Sequence, residues 1–493
     1  MCGIVGIISQ EPVANELFDS LIHLQHRGQD AAGILTCDER FYSRQGLGLV
    51  REIFNQKNVS SLLGNIGIGH TRYPTAGGYT NTDIQPLWIG SPRGIAMAHN
   101  GNLTNYQELA EQIRFKQKRH LNSSLDSEVL LLTLADQLAN SYFDEDDERF
   151  FEVLCRAVEF ISYYVKGAYS IVSVVIGKGL VCFRDPHGIR PLVWGSREGL
   201  FGKTDYIFAS ETTPFYALGF KEEGDVLPGE VVYVSQSGQM FRRVINKRET
   251  EFRPCVFEYV YFSRPDATIN HINVYRARLR MGQNLCKQWK AQYPDIIPDV
   301  VVPVPFTANT AALSFAREMG VRYTEALYKN PFIGRTFIMP NVQARKRNIR
   351  YKLTPLRTEI QNKSVLIVDD SIVRGATSRE IVKMIKEMGA KKIYLVSTCP
   401  PIKYPCFYGI DIPSSQELIA SNKSEEEIAN EIGVDILLYQ SSEDLIEAVT
   451  RRGDHNIKKP CMSCMDGEYF CKSITPEKIK ALELQRAKDK AKK

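Results

Sequence analysis

The chain has 493 residues, enough for two or three domains, and its 43% hydrophobic and 24% charged content is ordinary for a folded globular protein. A formal net charge of +5 is too mild to argue for nucleic acid, and no run of about 18 apolar residues offers a membrane span. The 11 cysteines do not form the framework of a small secreted protein, so catalysis or metal binding is their expected use; with no basic leader at the N-terminus, the expected location is cytoplasmic.

The first predicted element is a strand over Cys2–Ile8, followed by Pro12. Loss of the initiator methionine would leave Cys2 with a free α-amine, which titrates near ~8 and can act as a base beside a good thiol nucleophile. Four short polar segments follow: Leu24–Gly33, Gly67–Thr75, Ala98–Leu103 and Ser124–Glu128. Their residues complement an α-amino acid. An arginine offers a planar fork for a carboxylate. An aspartate suits an ammonium, and an Asn-Gly pair such as Asn100-Gly101 can supply an amide and a backbone N–H to an oxyanion. Taken alone, Asn-Gly is commonest in a hairpin turn. The alternating stretch Gly167–Ile176 reads as a strand, and the acidic run Asp144–Glu148 as a solvated loop. Residues 236–254, with Arg242, Arg243, Lys247, Arg248 and Glu249, are polar and turn-prone and mark a domain boundary.

The second half opens on Phe257–Asp266 and a helix around Arg276–Trp289. Val300–Thr310 reads as a buried strand entering a loop. Phe332–Phe337 precedes a basic cluster of Arg345, Lys346, Arg347, Arg350 and Lys352, either a solvated face or a phosphate-binding lid. Val365–Ser378 is the most informative stretch. An apolar strand ends in Asp369-Asp370, and Gly375, Thr377 and Ser378 open a helix. Ligands bind at such strand ends in open α/β sheets, and the loop amides and helix N-terminus favour phosphate. The two carboxylates can accept sugar hydroxyls or reach a hard cation. Ile381, Met384, Ile385 and Met388 have the spacing of a core-facing helix, Gly389 stops it, and Lys392–Val396 completes a βαβ unit. Pro476–Lys493 is a charged helical tail.

The ordered motifs from Cys2 to about Ser235 resemble the class II glutamine amidotransferase domain. The Val-Val-Pro-Val-Pro segment, the basic loop and Val368–Ser371 resemble a type I phosphoribosyltransferase. Together they resemble the amidophosphoribosyltransferase family over nearly the whole chain. The resemblance implies an N-terminal-nucleophile αββα sandwich over 2–235, a phosphoribosyltransferase α/β domain over 255–450 and a C-terminal extension over 451–493. It implies the conversion of glutamine and 5-phosphoribosyl pyrophosphate to 5-phosphoribosylamine, glutamate and pyrophosphate, the first step of purine synthesis, with ammonia passed internally.

Residue roles follow by resemblance. Cys2 is the nucleophile, Asn100 and Gly101 the oxyanion hole, and Arg72 and Asp126 the glutamine-binding pair. Asp369, Asp370, Ser371, Arg374, Gly375, Ala376, Thr377 and Ser378, with Lys329 and Arg335 of a closing loop, bind phosphoribosyl pyrophosphate. Thr307, Asp369 and Asp370 belong to Mg²⁺, and Tyr259 to coupling of the two sites. Cys255, Cys406, Cys461 and Cys464 match the four thiolates of members that hold a 4Fe-4S cluster. Those members usually carry a short segment before the catalytic cysteine, whereas Cys2 here follows Met1. Feedback inhibition by purine nucleotides and a homo-oligomer, dimer or tetramer, are also implied. A sugar isomerase partner half, as in glucosamine-6-phosphate synthase, would lack the 365–378 pattern. A phosphoribosyl-pyrophosphate-sensing DNA regulator would need a basic recognition helix.

Overall fold

A computed structural model describes residues 1–73, 83–139, 146–245, 250–330, 349–412, 414–451, 456–471 and 473–491. Two antiparallel sheets build the first half. The seven-stranded sheet runs in the order Lys221–Asp225, Val193–Glu198, Thr204–Ala209, Gly3–Ile8, Ile66–Arg72, Ala31–Cys37, Phe41–Leu47. The six-stranded sheet runs Met240–Val244, Glu230–Ser235, Gly179–Arg184, Gly167–Val175, Ile95–Leu103, Leu87–Ile89. Ile4, Ile8, Ile66 and Ile68 from one sheet meet Ala96, Ala98, Val172 and Val174 from the other in a shared apolar layer. The outer face of the second sheet is covered by the helices Asp126–Ala139 and Asp147–Tyr164, with Leu130, Leu134, Phe150 and Leu154 buried against Met97 and Ile171. Helix Ala14–His23 covers the first sheet through Leu17 and Leu21. Two buried faces per sheet explain why the central strands are apolar on both sides and lack a clean alternation.

The second half is a five-stranded parallel sheet, ordered Arg322–Tyr323, Val300–Pro303, Ser364–Asp369, Lys392–Ser397, Ile436–Tyr439. Helices Val274–Gln292 and Asn309–Met319 pack on one face, and Ala376–Glu387 and Glu425–Ile432 on the other. Asp369 ends the central strand, with its neighbours beginning new connections on either side, so the pair Asp369-Asp370 lies where such sheets open a crevice.

Several expectations are met within three residues: the strands Gly3–Ile8 and Gly167–Val175, the helix Val274–Gln292, and the helix Ala376–Glu387 ahead of Gly389. Others change. Asn100-Gly101 lies inside the strand Ile95–Leu103, paired with Ser170 and Tyr169, and forms no hairpin turn. The six-stranded sheet needs an edge, so Met240–Val244 of the presumed boundary pairs with Glu230–Val234. Asp147 and Glu148 of the acidic run open a helix capped by the Asp146 carboxylate, which accepts the Glu148 N–H at 2.9 Å; carboxylates there complement the helix dipole. Asp144 and Glu145 lie outside the described residues, as do Pro74, Thr75, Lys247, Arg248, Glu249, Phe332–Phe337, Arg335, Arg345, Lys346 and Arg347.

Candidate active sites and their connection

Cys2 stands at the head of the middle strand of the seven-stranded sheet. Its backbone N–H donates to Asn100 Oδ1 at 3.3 Å, and its thiol lies 3.7 Å from the Tyr73 carbonyl. Arg27 Nε donates to the Cys2 carbonyl at 3.1 Å. Met1 is buried, with its thioether against the Arg190 guanidinium. Burial first, and the nearby Arg190 and Arg27 charges next, push the Met1 amine down to about 4, although Cys2 and Glu258 oppose the shift.

The six-stranded sheet brings the other predicted groups to this point. The Asn100 side chain is buried, and its Nδ2 has no hydrogen-bond partner among the described residues, leaving an amide donor free for an oxygen. A Cβ on Gly101 would lie 1.9 Å from the Ala168 carbonyl, so only glycine fits there. Asp126 begins its helix and accepts the Leu103 N–H at 2.8 Å, with His99 Nδ1 3.6 Å away. Burial works against its charge, but His99 and the Leu103 and Ser127 N–H groups outweigh it and hold the carboxyl below its usual value. Arg72 ends the strand Ile66–Arg72 and is buried. His70, two residues earlier on the same face, is pushed down to about 3, by burial first and then by Arg72. It is therefore a neutral imidazole at neutral pH.

The carboxylates of Asp369 and Asp370 are also buried. Asp370 N–H donates to Asp369 Oδ1 at 2.9 Å. The Ser371 hydroxyl donates to Asp370 Oδ1 at 2.6 Å, and the Thr307 hydroxyl donates to Asp370 Oδ2. Burial raises both acids, and the Asp370 charge raises Asp369 further. A hard cation would relieve this, and the donor set of two carboxylates and a hydroxyl suits one. Gly375 has φ +68°, and a Cβ there would sit 2.4 Å from Ile419 Cδ1. It turns the chain into the helix that begins at Ala376, with Thr377 and Ser378 in the first turn and no side-chain cap at its N-terminus. Arg374 pairs with Glu417 at 2.9 Å, and Lys329 Nζ lies 4.7 Å from the Phe306 ring centre.

A buried network links the two halves of the chain, and apart from Tyr259 its members carried no role in the sequence reading. Arg27 reaches Glu211 and Glu258 with one forked guanidinium, all three side chains being buried. Glu211 also accepts from His26 at 2.8 Å. Glu258 opens the π-helical turn Glu258–Phe262 and accepts the Ser263 hydroxyl at 2.9 Å. Arg278, also buried, donates to the Tyr259 carbonyl at 2.9 Å and to the Ser263 carbonyl at 2.8 Å. Burial pushes it down to about 10 despite Asp370 and Glu211. The Tyr259 hydroxyl accepts from Asn270 Nδ2 at 2.9 Å and is raised by burial. Arg27 and Glu258 stood in quoted motifs, but nothing in sequence marks partners 231 residues apart.

Cys255, Cys406, Cys461 and Cys464 enter one buried apolar cluster, together with Cys399. Cys255 and Cys461 pair as a parallel bridge, and Cys461 N–H donates to the Pro254 carbonyl at 2.8 Å. Cys406 Sγ accepts the Tyr408 N–H at 3.4 Å. Burial pushes Cys255 up to about 11 and Cys461 up to about 12, with neighbouring thiols adding to the shift. Four thiols gathered this way have the right type and number for a cluster. Yet among the described residues no group of three or more His, Cys, Asp or Glu side chains is spaced to hold a metal ion.

Residues 70–217 match the model of a glutamine amidotransferase domain. The chain is 45% identical over 491 residues to the amidophosphoribosyltransferase of Pseudomonas aeruginosa, covering 99% of this chain and 96% of the relative. It is 46% identical over 462 residues to that of Saccharomyces cerevisiae, covering 91% and 88%. The solved glutamine phosphoribosylpyrophosphate amidotransferase of B. subtilis, complexed with ADP and GMP, superposes with a TM-score of 0.83 at 36% identity, covering 96% of this chain and 98% of that one. With its cysteine-led sandwich, its twin-carboxylate sheet end and relatives matched end to end, the chain belongs to the amidophosphoribosyltransferase family.

Proposed function

We propose that Cys2 and the Asp369–Asp370 pair are the two working ends of one glutamine-dependent transfer. The observation that carries this reading is the meeting of Cys2 with Asn100, whose buried Nδ2 is unpartnered, in the same chain as a buried carboxylate pair at a parallel-sheet switch point. Removal of Met1 turns the Cys2 N–H, already in contact with Asn100 Oδ1, into a free amine that can take the thiol proton. The sulfur attacks the glutamine amide carbon. Asn100 Nδ2 and the Gly101 N–H stabilise the developing oxyanion, ammonia departs, and water cleaves the thioester to release glutamate. Arg72 takes the substrate carboxylate and Asp126 its ammonium.

At the second site ammonia displaces pyrophosphate from the anomeric carbon of 5-phosphoribosyl pyrophosphate. Amides around Gly375–Ser378 and the helix N-terminus take the 5-phosphate, and Asp369 and Asp370 the ribose hydroxyls. Thr307, Asp369 and Asp370 would hold Mg²⁺, which when bound supplies positive charge against the pyrophosphate. Lys329 adds its charge beside them, and Ser371 and Arg374 line the same turn; Arg335 lies outside the described residues. Ammonia protonates in bulk water and phosphoribosylamine is labile, so internal transfer past the buried Tyr259 protects both. Cys255, Cys406, Cys461 and Cys464 would hold a 4Fe-4S cluster, supported by their common burial. Purine-nucleotide inhibition, a homo-oligomer and a cytoplasmic location complete the reading. No described helix is long and apolar enough to cross a membrane.

The deciding experiment is Cys2→Ser. Glutamine-dependent turnover should be lost while ammonia-dependent turnover persists; loss of both would deny two separable sites. Anaerobic purification should give brown protein with about four irons and four sulfides per chain. Colourless, iron-free and fully active protein would remove the cluster.

A further inference from the structure

The oxyanion strand is fastened from behind by the other half of the chain. Asn102 Nδ2 donates to the Phe407 carbonyl at 2.9 Å, across 305 residues. The next carbonyl, Tyr408, accepts from Arg190 Nε at 2.8 Å and also from Arg190 Nη2. Arg190 is fully buried and Asn102 partly buried, so solvent competes little for either carbonyl. Gly409 follows with φ +103°, and it touches Gly101 itself. A Cβ on Gly409 would stand 2.9 Å from the Gly101 carbonyl oxygen, 3.0 Å from its carbonyl carbon and 3.3 Å from its Cα. These atoms are backbone and cannot rotate away. On its far side Gly101 is equally confined, because a Cβ there would meet the Ala168 carbonyl at 1.9 Å. Gly101 is thus held in a slot between residue 168 of its own sheet and residue 409 of the phosphoribosyltransferase half.

We infer that Asn102 and Gly409 are positioning residues for the oxyanion hole, so that segment 407–409 of the second half sets the geometry in which Gly101 donates its N–H. This inference rests on the reading of Asn100 and Gly101 as the oxyanion donors. The physical reason is the steepness of hydrogen-bond stabilisation in a preorganised site. A donor displaced by a few tenths of an ångström gives up much of its advantage for the transition state while leaving substrate binding through Arg72 and Asp126 intact. The effect therefore falls on kcat for glutamine hydrolysis and spares KM.

The test uses the full-length, processed protein and measures glutamine hydrolysis and ammonia-dependent synthesis side by side. Gly409→Ala should lower kcat for hydrolysis about 10- to 100-fold, with KM for glutamine changed less than about threefold and ammonia-dependent synthesis kept within about twofold. Asn102→Ala should lower the same kcat about 10-fold with the same sparing pattern, and it adds no atom, so it does not depend on how well the glycine variant folds. Gly389→Ala serves as the control for backbone strain alone. That glycine has φ +87° and no contact closer than 3.4 Å to an added Cβ, and the variant should keep both activities. Hydrolysis within about twofold of wild type in both test variants, parallel loss of both activities, or an equal loss in the Gly389 control would each overturn the inference. Unchanged hydrolysis in Asn100→Ala would instead overturn the oxyanion reading beneath it, and this inference with it.

Discussion

Arg27 and Glu258 form a forked ion pair, with Nη2 to Oε1 at 2.9 Å and Nη1 to Oε2 at 3.0 Å, and neither side chain is exposed to solvent. Arg27 ends the 3-10 turn Gln25–Arg27 ahead of the sheet that carries Cys2, and Glu258 opens the turn that leads into the phosphoribosyltransferase half. Arg27 also holds the Cys2 carbonyl, and Glu258 lies beside Tyr259, so the pair ties the Cys2 backbone to the start of the second half.

Breaking one member of a buried pair leaves the other charge unpaired. Arg27→Met should destabilise the protein by about 3–5 kcal/mol, because Glu211 and Glu258 both lose their guanidinium. Glu258→Gln should cost less, about 2 kcal/mol, since Glu211 continues to neutralise Arg27. Denaturant unfolding of the two variants gives the comparison, and equal losses would show that Glu258 bears the whole link.

Asp126 is fixed by the Leu103 N–H and by His99, so replacing its carboxylate removes charge and little structure. Asp126→Asn should raise KM for glutamine about 10- to 150-fold, the loss of a hydrogen bond to a charged group. Ammonia-dependent synthesis should be unaffected, which steady-state kinetics with either nitrogen donor will show.

The weakened acidity of Asp369 and Asp370, caused by burial, gives a pH signature. In the folded protein each carboxyl keeps its proton to higher pH than in the unfolded chain, so their burial lowers stability as pH rises above ~4 and relieves it as pH falls. Protons held on these carboxyls would compete with a bound cation, so the affinity for Mg²⁺ in the presence of phosphoribosyl pyrophosphate should weaken as pH is lowered. Asp369→Asn should flatten that dependence and raise the Tm of metal-free protein at pH 8. Calorimetric titration and thermal scans read both.

His70, held neutral with its acidity at about 3, has the opposite sign. Below pH ~6.5 the unfolded chain takes up a proton that the folded protein refuses, so stability falls with pH through this window. Between pH 7 and pH 5 this amounts to about 2 kcal/mol. His70→Gln should lose that much less than the wild type over the same interval, and equal acid sensitivity would place the neutral imidazole elsewhere. The aspartate pair is common to both proteins and cancels from the comparison.

Much of the chemistry was legible in the sequence because it depends on local order. A β-branched run ending in Asp369-Asp370 and turning at Gly375 can only present its carboxylates at a strand end, and the helix Ala376–Glu387 followed from its apolar spacing. Cys2, Arg72, Asn100 and Asp126 were legible as residue types suited to an amino-acid substrate. Tertiary structure decided how these groups are held. Asn100-Gly101 lies in a strand because the pairing with Ser170 and Tyr169, inside a sheet buried on both faces, outweighs the turn preference of the dipeptide. The Arg27–Glu258 pair, the Asn102 bond to the Phe407 carbonyl, and the seat of Gly409 on Gly101 join residues far apart in sequence. No period or composition encodes such contacts, because they arise only when two independently patterned cores close on one another and leave a buried charge or a bare backbone that must find its partner across the seam.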